Sequence, residues 1–269
     1  MRRLKIIYFW LFINKNNVTL MELLAFLIKP RINTIAKRFI KHINYREEDI
    51  EISFNNIADS LFWPKNFSLN RFDQVVCESF DTKDWHYYQK QHTEVAPNEI
   101  ILDIGTAEGL FPLEVINKCE HIYMVEPSKS FNACLTKTFA KYNHKTTIFN
   151  TAVGSEDGEI SFDENSLEGM ISKDNGKNTI SIHKIDTLLN NRKITYLKAD
   201  IEGFEYEMLK GAEQTIKANK PKIAITTYHS ENNPQEIVKL IKSYVPEYNY
   251  YFKGVYEVTP KPVMIHFWI

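Results

Sequence analysis

The chain has 269 residues, 43% hydrophobic and 25% charged, enough to bury one large core plus an appendage and unlike a disordered or collagen-like chain. Its three cysteines, Cys77, Cys119 and Cys134, are odd in number and show no C-x-x-C spacing; this argues against a disulfide framework or a cysteine zinc site and for a reducing, cytoplasmic setting. The formal net charge of −1 hides an asymmetry, since residues 1–46 carry +9 and the remainder −10.

In chain order, Leu4 and residues 6–13 form a short apolar run after Arg2-Arg3, and residues 18–28 form a second. Asn14-Lys-Asn-Asn17 divides them, so neither reaches the ~20 apolar residues of a spanning helix. No small-residue cleavage site follows the first run to mark a signal peptide. Ile32, Ile35, Ala36, Phe39, Ile40 and Ile43 then recur at helical spacing, with Arg31, Lys37, Arg38, Lys41 and His42 opposite. That spacing predicts a basic amphipathic helix. Residues 1–46 therefore read as a basic helical arm with two uses of equal standing. One is peripheral attachment to an anionic membrane surface on the cytoplasmic side. The other is packing on the rest of the chain or on a second subunit, which leaves an oligomer open. No nucleic-acid partner is expected, because the remainder of the chain is strongly acidic and would repel phosphate.

Residues 47–75 read as an irregular or helical connector. Arg46-Glu-Glu-Asp49 ends the basic helix, and Asn55-Asn56 and Trp63-Pro-Lys-Asn66 are turn signals. Residues 84–91 look helical, and their Trp85, Tyr87 and Tyr88 either fill core or line a ligand site. Residues 76–269 form the main domain.

There, Ile100-Ile-Leu-Asp-Ile-Gly-Thr-Ala-Glu-Gly109 is an apolar run breaking into D-x-G-x-x-x-G, followed by helical spacing over 110–118. Strand, glycine turn and helix make the first unit of a doubly wound α/β fold, whose ligands sit beyond the carboxyl ends of the strands. A side chain at Gly105 is expected to intrude on the ligand's path. A second apolar run, residues 121–126, ends in Glu126, where a carboxylate can accept hydrogen bonds from both hydroxyls of a ribose. A dinucleotide site would want G-x-G-x-x-G and a pyrophosphate at the helix N-terminus. Here Asp103 precedes a single glycine, and Thr106-Ala107-Glu108 stands where the middle glycine would be. The carboxylates of Asp103 and Glu108 would repel a pyrophosphate but suit a cofactor bearing ammonium and sulfonium charges, which is S-adenosylmethionine. Asp103, Gly105, Thr106, Glu108, Gly109 and Glu126 are the expected cofactor residues. The alternative is a structural glycine turn without a ligand.

Beyond Glu126 the elements alternate. Residues 130–142 are helical, and 146–149 form a strand ending at Asn150, which joins the expected cofactor residues. Residues 154–158 form a hairpin turn into a strand over 159–162, and 163–178 form a polar loop near the substrate. A strand over 179–182 and a helix over 185–189 follow. Residues 194–212 then place Lys198, Asp200 and Glu202 at or beyond a strand end, with Glu205, Met208 and Leu209 on the next helix. A strand over 222–227 leads to His229, a helix spans 234–244, and strands span 249–253 and 262–268.

The pattern K-x-D-x-E-G-x-E-x-x-x-L-x-G falls on Lys198, Asp200, Glu202, Gly203, Glu205, Leu209 and Gly211. With the glycine loop, Val125-Glu-Pro127 and Pro221-Lys-Ile-Ala-Ile-Thr-Thr-Tyr-His229, it closely resembles the FkbM-type family of S-adenosylmethionine-dependent methyltransferases. The resemblance runs from about Val95 to the C-terminus; the first eighty residues find no counterpart, and Thr106-Ala-Glu108 replaces a commoner Ala-Asn-Ile loop. It implies a class I methyltransferase, Rossmann-like fold: a doubly wound, mostly parallel seven-stranded sheet whose last strand is antiparallel, here with an N-terminal helical extension. It also implies O-methylation, commonly of sugar or polyketide hydroxyls, and a surface glycan or its precursor is the expected acceptor.

An aliphatic hydroxyl needs its proton accepted as the methyl–oxygen bond forms. His229 is the attractive base, since an imidazole titrates near neutrality; Asp200 and Glu202 compete for that role, and Lys198 tunes them or binds the acceptor. A divalent ion between Asp200, Glu202 and His229 is chemically sensible, but no spacing demands it and none is expected. Two other classes share the features: a nicotinamide-dependent oxidoreductase, which here lacks its phosphate-binding glycines, and a non-catalytic scaffold held by the basic arm.

Overall fold

The structure is a computed structural model that describes residues 2–162, 171–172, 179–229, 233–259 and 261–269. Helices α1 (Arg2–Phe12) and α2 (Leu20–Leu27) hold the two apolar runs. A capping box starts α2: Thr19 Oγ1 accepts the Glu22 N–H and a Glu22 carboxylate oxygen accepts the Thr19 N–H. Their inner faces (Ile6, Phe9, Trp10, Leu23) belong to one buried cluster with Ile101, Leu113 and Phe131 of the main domain. Phe26 stacks on Trp85 with ring centroids 4.6 Å apart, and Lys253 Nζ donates to Glu22 at 2.5 Å. The arm is packed onto the body of the protein.

The expected basic helix is not formed. Helix α3 (Ile32–Ala36) stops after five residues, and Ile40–Tyr45 is a strand, β1, paired antiparallel with β2 (Asp49–Phe54), which pairs with β3 (Leu61–Pro64). Asp49-Ile-Glu-Ile-Ser-Phe54 alternates at period two and buries Ile50, Ile52 and Phe54. An alternating β-branched partner wins over the three-residue spacing that Ile40 and Ile43 also satisfy. Arg46-Glu-Glu-Asp49 closes the hairpin, with the Arg46 N–H on Asp49 O at 2.9 Å. The expected connector is thus largely sheet, followed by α4 (Phe72–Phe80). Residues 84–91 are turns rather than helix, because Asp81 and Asp84 each accept the N–H two residues on.

The main sheet follows its expected course. Its elements are β4 (Ile100–Ile104), α5 (Leu110–Val115), β5 (His121–Val125), α6 (Lys129–Thr138) and β6 (Thr146–Phe149). A small sheet intervenes: β7 (Ala152–Val153), β8 (Gly158–Phe162), β9 (Ile171–Ser172) and β10 (Thr179–His183), in the order β7-β10-β8-β9. β8 pairs with β10 rather than with β7, so residues 154–158 do not make a hairpin. The expected loop over 163–178 lies outside the described residues, except that Ile171–Ser172 pairs with Ser161–Phe162. Then come α7 (Ile185–Leu189), β11 (Tyr196–Ala199), α8 (Glu205–Lys210), α9 (Glu213–Asn219), β12 (Lys222–Thr226), α10 (Pro234–Tyr244), β13 (Asn249–Lys253) and β14 (Met264–Trp268).

The seven strands run β13-β14-β12-β11-β4-β5-β6, parallel except that β14 is antiparallel to both its neighbours. Ile101, Leu102, Ile104, Leu197, Ala199, Ile223 and Ile225 are wholly buried, as central parallel strands covered on both faces require. Strand order reverses between β4 and β11, so the loops after them open the crevice where doubly wound folds bind ligands.

Candidate active site

A cavity of about 640 Å³ opens at this edge, within the range of small-molecule sites. The loops after β4, β5, β11 and β12 form its floor. Trp63 of β3 and Glu78 of α4 add a wall from the N-terminal region, which the sequence did not foretell.

On the β4–β5 side the loop is built from backbone. Gly105 has φ +68°, and its N–H and that of Thr106 donate to Val125 O at 3.1 and 3.2 Å. A Cβ at Gly105 would sit 1.9 Å from the carbonyl oxygen of Asp200, so the neighbouring loop already requires a glycine at this position, which also lines the cavity. Gly109 (φ +86°) lies before α5, where a Cβ would meet Leu135 and Phe139. Ala107 holds φ +47° and aims its N–H at Glu126 Oε2, 2.8 Å away, while the Ser128 N–H donates to Oε1 at 2.8 Å. Each carboxylate oxygen keeps a second lone pair, and burial pushes the Glu126 pKa up to about 7. Glu108 is also buried, accepts the Leu110 N–H at 3.3 Å, and is raised by burial to about 7.

Gly105, Thr106, Glu108 and Glu126 line the cavity; Asp103, Gly109 and Asn150 do not. Asp103 is fully buried beneath the loop, 3.0 Å from Lys198 Nζ, which also donates to Gly105 O at 2.9 Å. Lys198 therefore pins the glycine loop from below. Asn150 donates to Glu126 O and Pro127 O at 3.1 and 2.9 Å and holds the turn that presents Glu126.

On the β11–β12 side, side chains crowd. Asp200 Oδ2 accepts from Tyr88 OH at 2.9 Å and Oδ1 from Thr226 Oγ1 at 3.0 Å. Burial opposes its charge, but His86, His229, Lys198 and the Tyr88 hydrogen bond outweigh burial and hold its pKa below the usual value. Glu202 sits in the left-handed region at φ +54°, a strained backbone of the kind that clusters at functional sites. Glu205, wholly buried at the start of α8, accepts the Ile201 N–H at 3.1 Å and lies 3.2 Å from His229 Nδ1. His229 Nε2 is 3.0 Å from Glu202 Oε2 and 3.9 Å from Asp200 Oδ1. Burial alone would lower the His229 pKa; the Glu202 and Glu205 carboxylates and the Asp200 charge reverse this and raise it to about 11. The three carboxylates thus favour the charged form of the ring, which works against its expected role as base.

Sequence reasoning missed the orienting role of Glu205, the buried His86 and the wall from α4. Only Glu205 carried a signal, as the second acid of the motif. Of the aromatic trio, Tyr88 reaches both the cavity and Asp200, whereas Trp85 packs on α2.

A doubly wound seven-stranded sheet with an antiparallel penultimate strand, a glycine loop after its first strand and an acid after its second defines a class I methyltransferase. Residues 103–252, more than half of the chain, match the Methyltransferase FkbM domain, and the chain belongs to that family. Its fold is similar to the crystal structure of Methyltransferase FkbM from Methylobacillus flagellatus KT (19% identity, TM-score 0.55, covering 88% of this chain and 58% of that one). The chain thus spans 58% of that structure's length. It is also similar to a tRNA m1G37 methyltransferase of M. jannaschii (12% identity, TM-score 0.46, covering 84% and 56%). A further likeness is to precorrin-6y C5,15-methyltransferase of Geobacter metallireducens GS-15 (11% identity, TM-score 0.40, covering 65% and 83%). No curated protein matches the chain in sequence. S-adenosylmethionine is the family's cofactor, and the residues fit it: Glu126 offers two lone pairs to a ribose diol and Glu108 offers negative charge to a cationic ligand.

Proposed function

We propose that the protein methylates a sugar hydroxyl of a surface glycan or its precursor, using S-adenosylmethionine. The observation that carries this reading is one cavity with a nucleoside-accepting acid, Glu126, at one end and the carboxylates Asp200 and Glu202 at the other. The bound cofactor supplies a methyl group on sulfonium, a leaving group that departs neutral. Glu126 and the loop beneath it fix where the cofactor lies; Asp200 and Glu202 accept hydrogen bonds from the incoming hydroxyls and so set the line of attack. As the oxygen–methyl bond forms and the carbon–sulfur bond breaks, the hydroxyl proton falls to one of these carboxylates, since the acids around His229 favour its charged form. Tyr228 and Tyr256, stacked at 4.5 Å on the cavity wall, offer an aromatic face to the apolar side of a sugar ring. Mass spectrometry of extracted glycans from cells with and without the protein tests the reading: a single methyl group is expected to disappear, and identical spectra would count against the acceptor class.

The N-terminal helices support a second element, attachment to an anionic lipid surface where glycan precursors are assembled. Their outer faces leave Leu4, Tyr8, Phe12, Met21 and Ile28 exposed, and Lys5 and Lys15 are exposed on the same segment. Among the described residues no helix is long and apolar enough to cross a membrane, so the contact would be superficial. Each basic group near such a surface contributes about 1 kcal/mol. Sedimentation with anionic against neutral vesicles is expected to favour the anionic ones and to weaken with salt; no preference would remove this element.

A further inference from the structure

His86 is a buried histidine whose ring faces two carboxyl groups and hydrogen-bonds to neither. It is 4% exposed, and both ring nitrogens are buried without a hydrogen-bond partner, which native interiors rarely tolerate. Nε2 lies 3.6 Å from Asp200 Oδ2, and Nδ1 lies 3.8 Å from Glu78 Oε1. Asp200 Oδ2 accepts from Tyr88 OH, and a carboxylate oxygen has room for a second donor. Glu78 and Asp200 line the cavity; His86 does not. Each gap exceeds a hydrogen bond by less than about 1 Å. Contacts of this kind are often long before substrate binds and tighten around it.

The fold fixes this ring from several sides. The His86 N–H donates to Asp84 Oδ1 at 2.9 Å, and Lys29 Nζ, just after α2, donates to Asp84 Oδ2 at 2.6 Å. Tyr88 meets the ring edge-on at 5.3 Å, and Tyr228 lies tilted against it at 5.5 Å. The charged and titratable groups around it are Asp84 and Tyr88 on its own turn, Glu78 on α4, Lys198 on β11, Asp200 beyond β11, and Tyr228 and His229 beyond β12. Burial outweighs the pull of Asp200 and Asp84 and lowers the His86 pKa. Burial and the Asp200 charge hold the Glu78 carboxyl well above its usual value. A neutral ring protonated on Nε2, beside a protonated Glu78, gives one consistent direction of donation: from Glu78 to Nδ1 and from Nε2 to Asp200.

We propose that His86 is a positioning residue: backed by Glu78, it donates from Nε2 to Asp200 and aims that carboxylate at the acceptor. It works through Asp200 and touches no substrate. A donor to the ionised form favours that form, so His86 also keeps Asp200 able to take a proton. The N-terminal region thereby shares in the chemistry, since Glu78 on α4 and the turn held by Lys29 and Phe26 both precede the main sheet. The proposal rests on the reading of Asp200 as a proton acceptor in methyl transfer, but the row of hydrogen bonds is observable without it.

The first test is ¹⁵N nuclear magnetic resonance of the histidine rings in the full chain, with and without S-adenosylhomocysteine. His86→Phe identifies the His86 signals by their loss. The ring is expected to be neutral at neutral pH with its proton on Nε2. Asp200→Asn should move the Nε2 signal most and Glu78→Leu the Nδ1 signal most, while His121, which pairs with Thr147 at the start of β5, stays in place. Glu78 is part-exposed, so its variant reports even where Asp200→Asn unfolds. A proton on Nδ1, a charged ring, or ring signals indifferent to both variants would overturn the proposal. Methyl transfer from labelled S-adenosylmethionine to the glycan fraction of cells lacking the protein is the second test. His86→Phe should lower kcat about 10–100-fold, leave KM for the cofactor unchanged and move the acid limb of the rate profile to higher pH. His86→Gln, whose amide N–H can stand in for Nε2–H, should recover part of the rate. A uniform loss at every pH that His86→Gln does not relieve would mark a merely structural ring and overturn the proposal. If the wild-type chain labels no glycan, the acceptor class falls, and the nitrogen signals alone decide the row.

Discussion

The two ends of the cavity are built by different means. At the β4–β5 end the shape is set by backbone: positive φ at Gly105, Ala107 and Gly109, and amide N–H groups aimed at Glu126. At the β11–β12 end it is set by charged side chains drawn from four separate segments: His86 and Tyr88, Asp200 and Glu202, Glu205, and His229. The first design suits a ligand of fixed shape, the cofactor. The second concentrates charge where, on the proposed reading, an acceptor is held and deprotonated. Changes at the first end should therefore act on folding and cofactor affinity, and changes at the second on rate.

Gly105→Val should have the largest effect. Its Cβ would meet the Asp200 carbonyl, a backbone atom that cannot move aside, at a positive φ that β-branched residues resist. We expect a loss beyond the ~1–3 kcal/mol of ordinary overpacking, against a total stability of about 5–15 kcal/mol. Circular dichroism should show an unfolded or low-melting protein; a normally folded variant that merely fails to bind cofactor would mean the glycine clears a ligand rather than the neighbouring loop.

Next, Asp200→Asn or Glu202→Gln should lower methyl transfer by roughly 10²–10⁴. Single-turnover assays with labelled cofactor check this, and equal losses in rate and in cofactor affinity would erase the division between the two ends.

A smaller effect comes from pH. Burial raises Glu126 and Glu108 to about 7, so both carboxylates take up protons as pH falls through that value. Cofactor affinity should weaken between pH 8 and 6, and Glu126→Gln should flatten part of the slope. The sign for stability is opposite: a raised folded pKa stabilises the fold below the unfolded value of 4.5, and that contribution is lost as pH climbs through about 7. Thermal melts of the cofactor-free protein should therefore fall over that window, and a rise would contradict the burial of these acids.

The same contrast explains what could be read in the sequence. The glycine loop and Glu126 are close in sequence and obey local rules, so spacing places them; so do the apolar runs of the parallel strands. Spacing does not show depth, which is why Asp103, beneath the loop, reads like Glu108, beside the cavity. Nor does it show long-range convergence: His86 meets Asp200 only because Asx turns at Asp81 and Asp84 break what looks like a helix. In the N-terminal region, Ile40 and Ile43 fit both helical and extended periods, and the alternating partner over residues 49–54 decides between them.

The central claim is that Glu126 holds the cofactor and the acidic end does not. Calorimetric titration of S-adenosylmethionine into the wild-type chain, Glu126→Ala and Asp200→Asn tests it directly. A hydrogen bond to a charged partner is worth roughly 1.5–3 kcal/mol. The account predicts one site per chain, weakened about ten- to a hundredfold in Glu126→Ala and unchanged within about threefold in Asp200→Asn. Unaltered affinity in Glu126→Ala, or an equal loss in both variants, would contradict it.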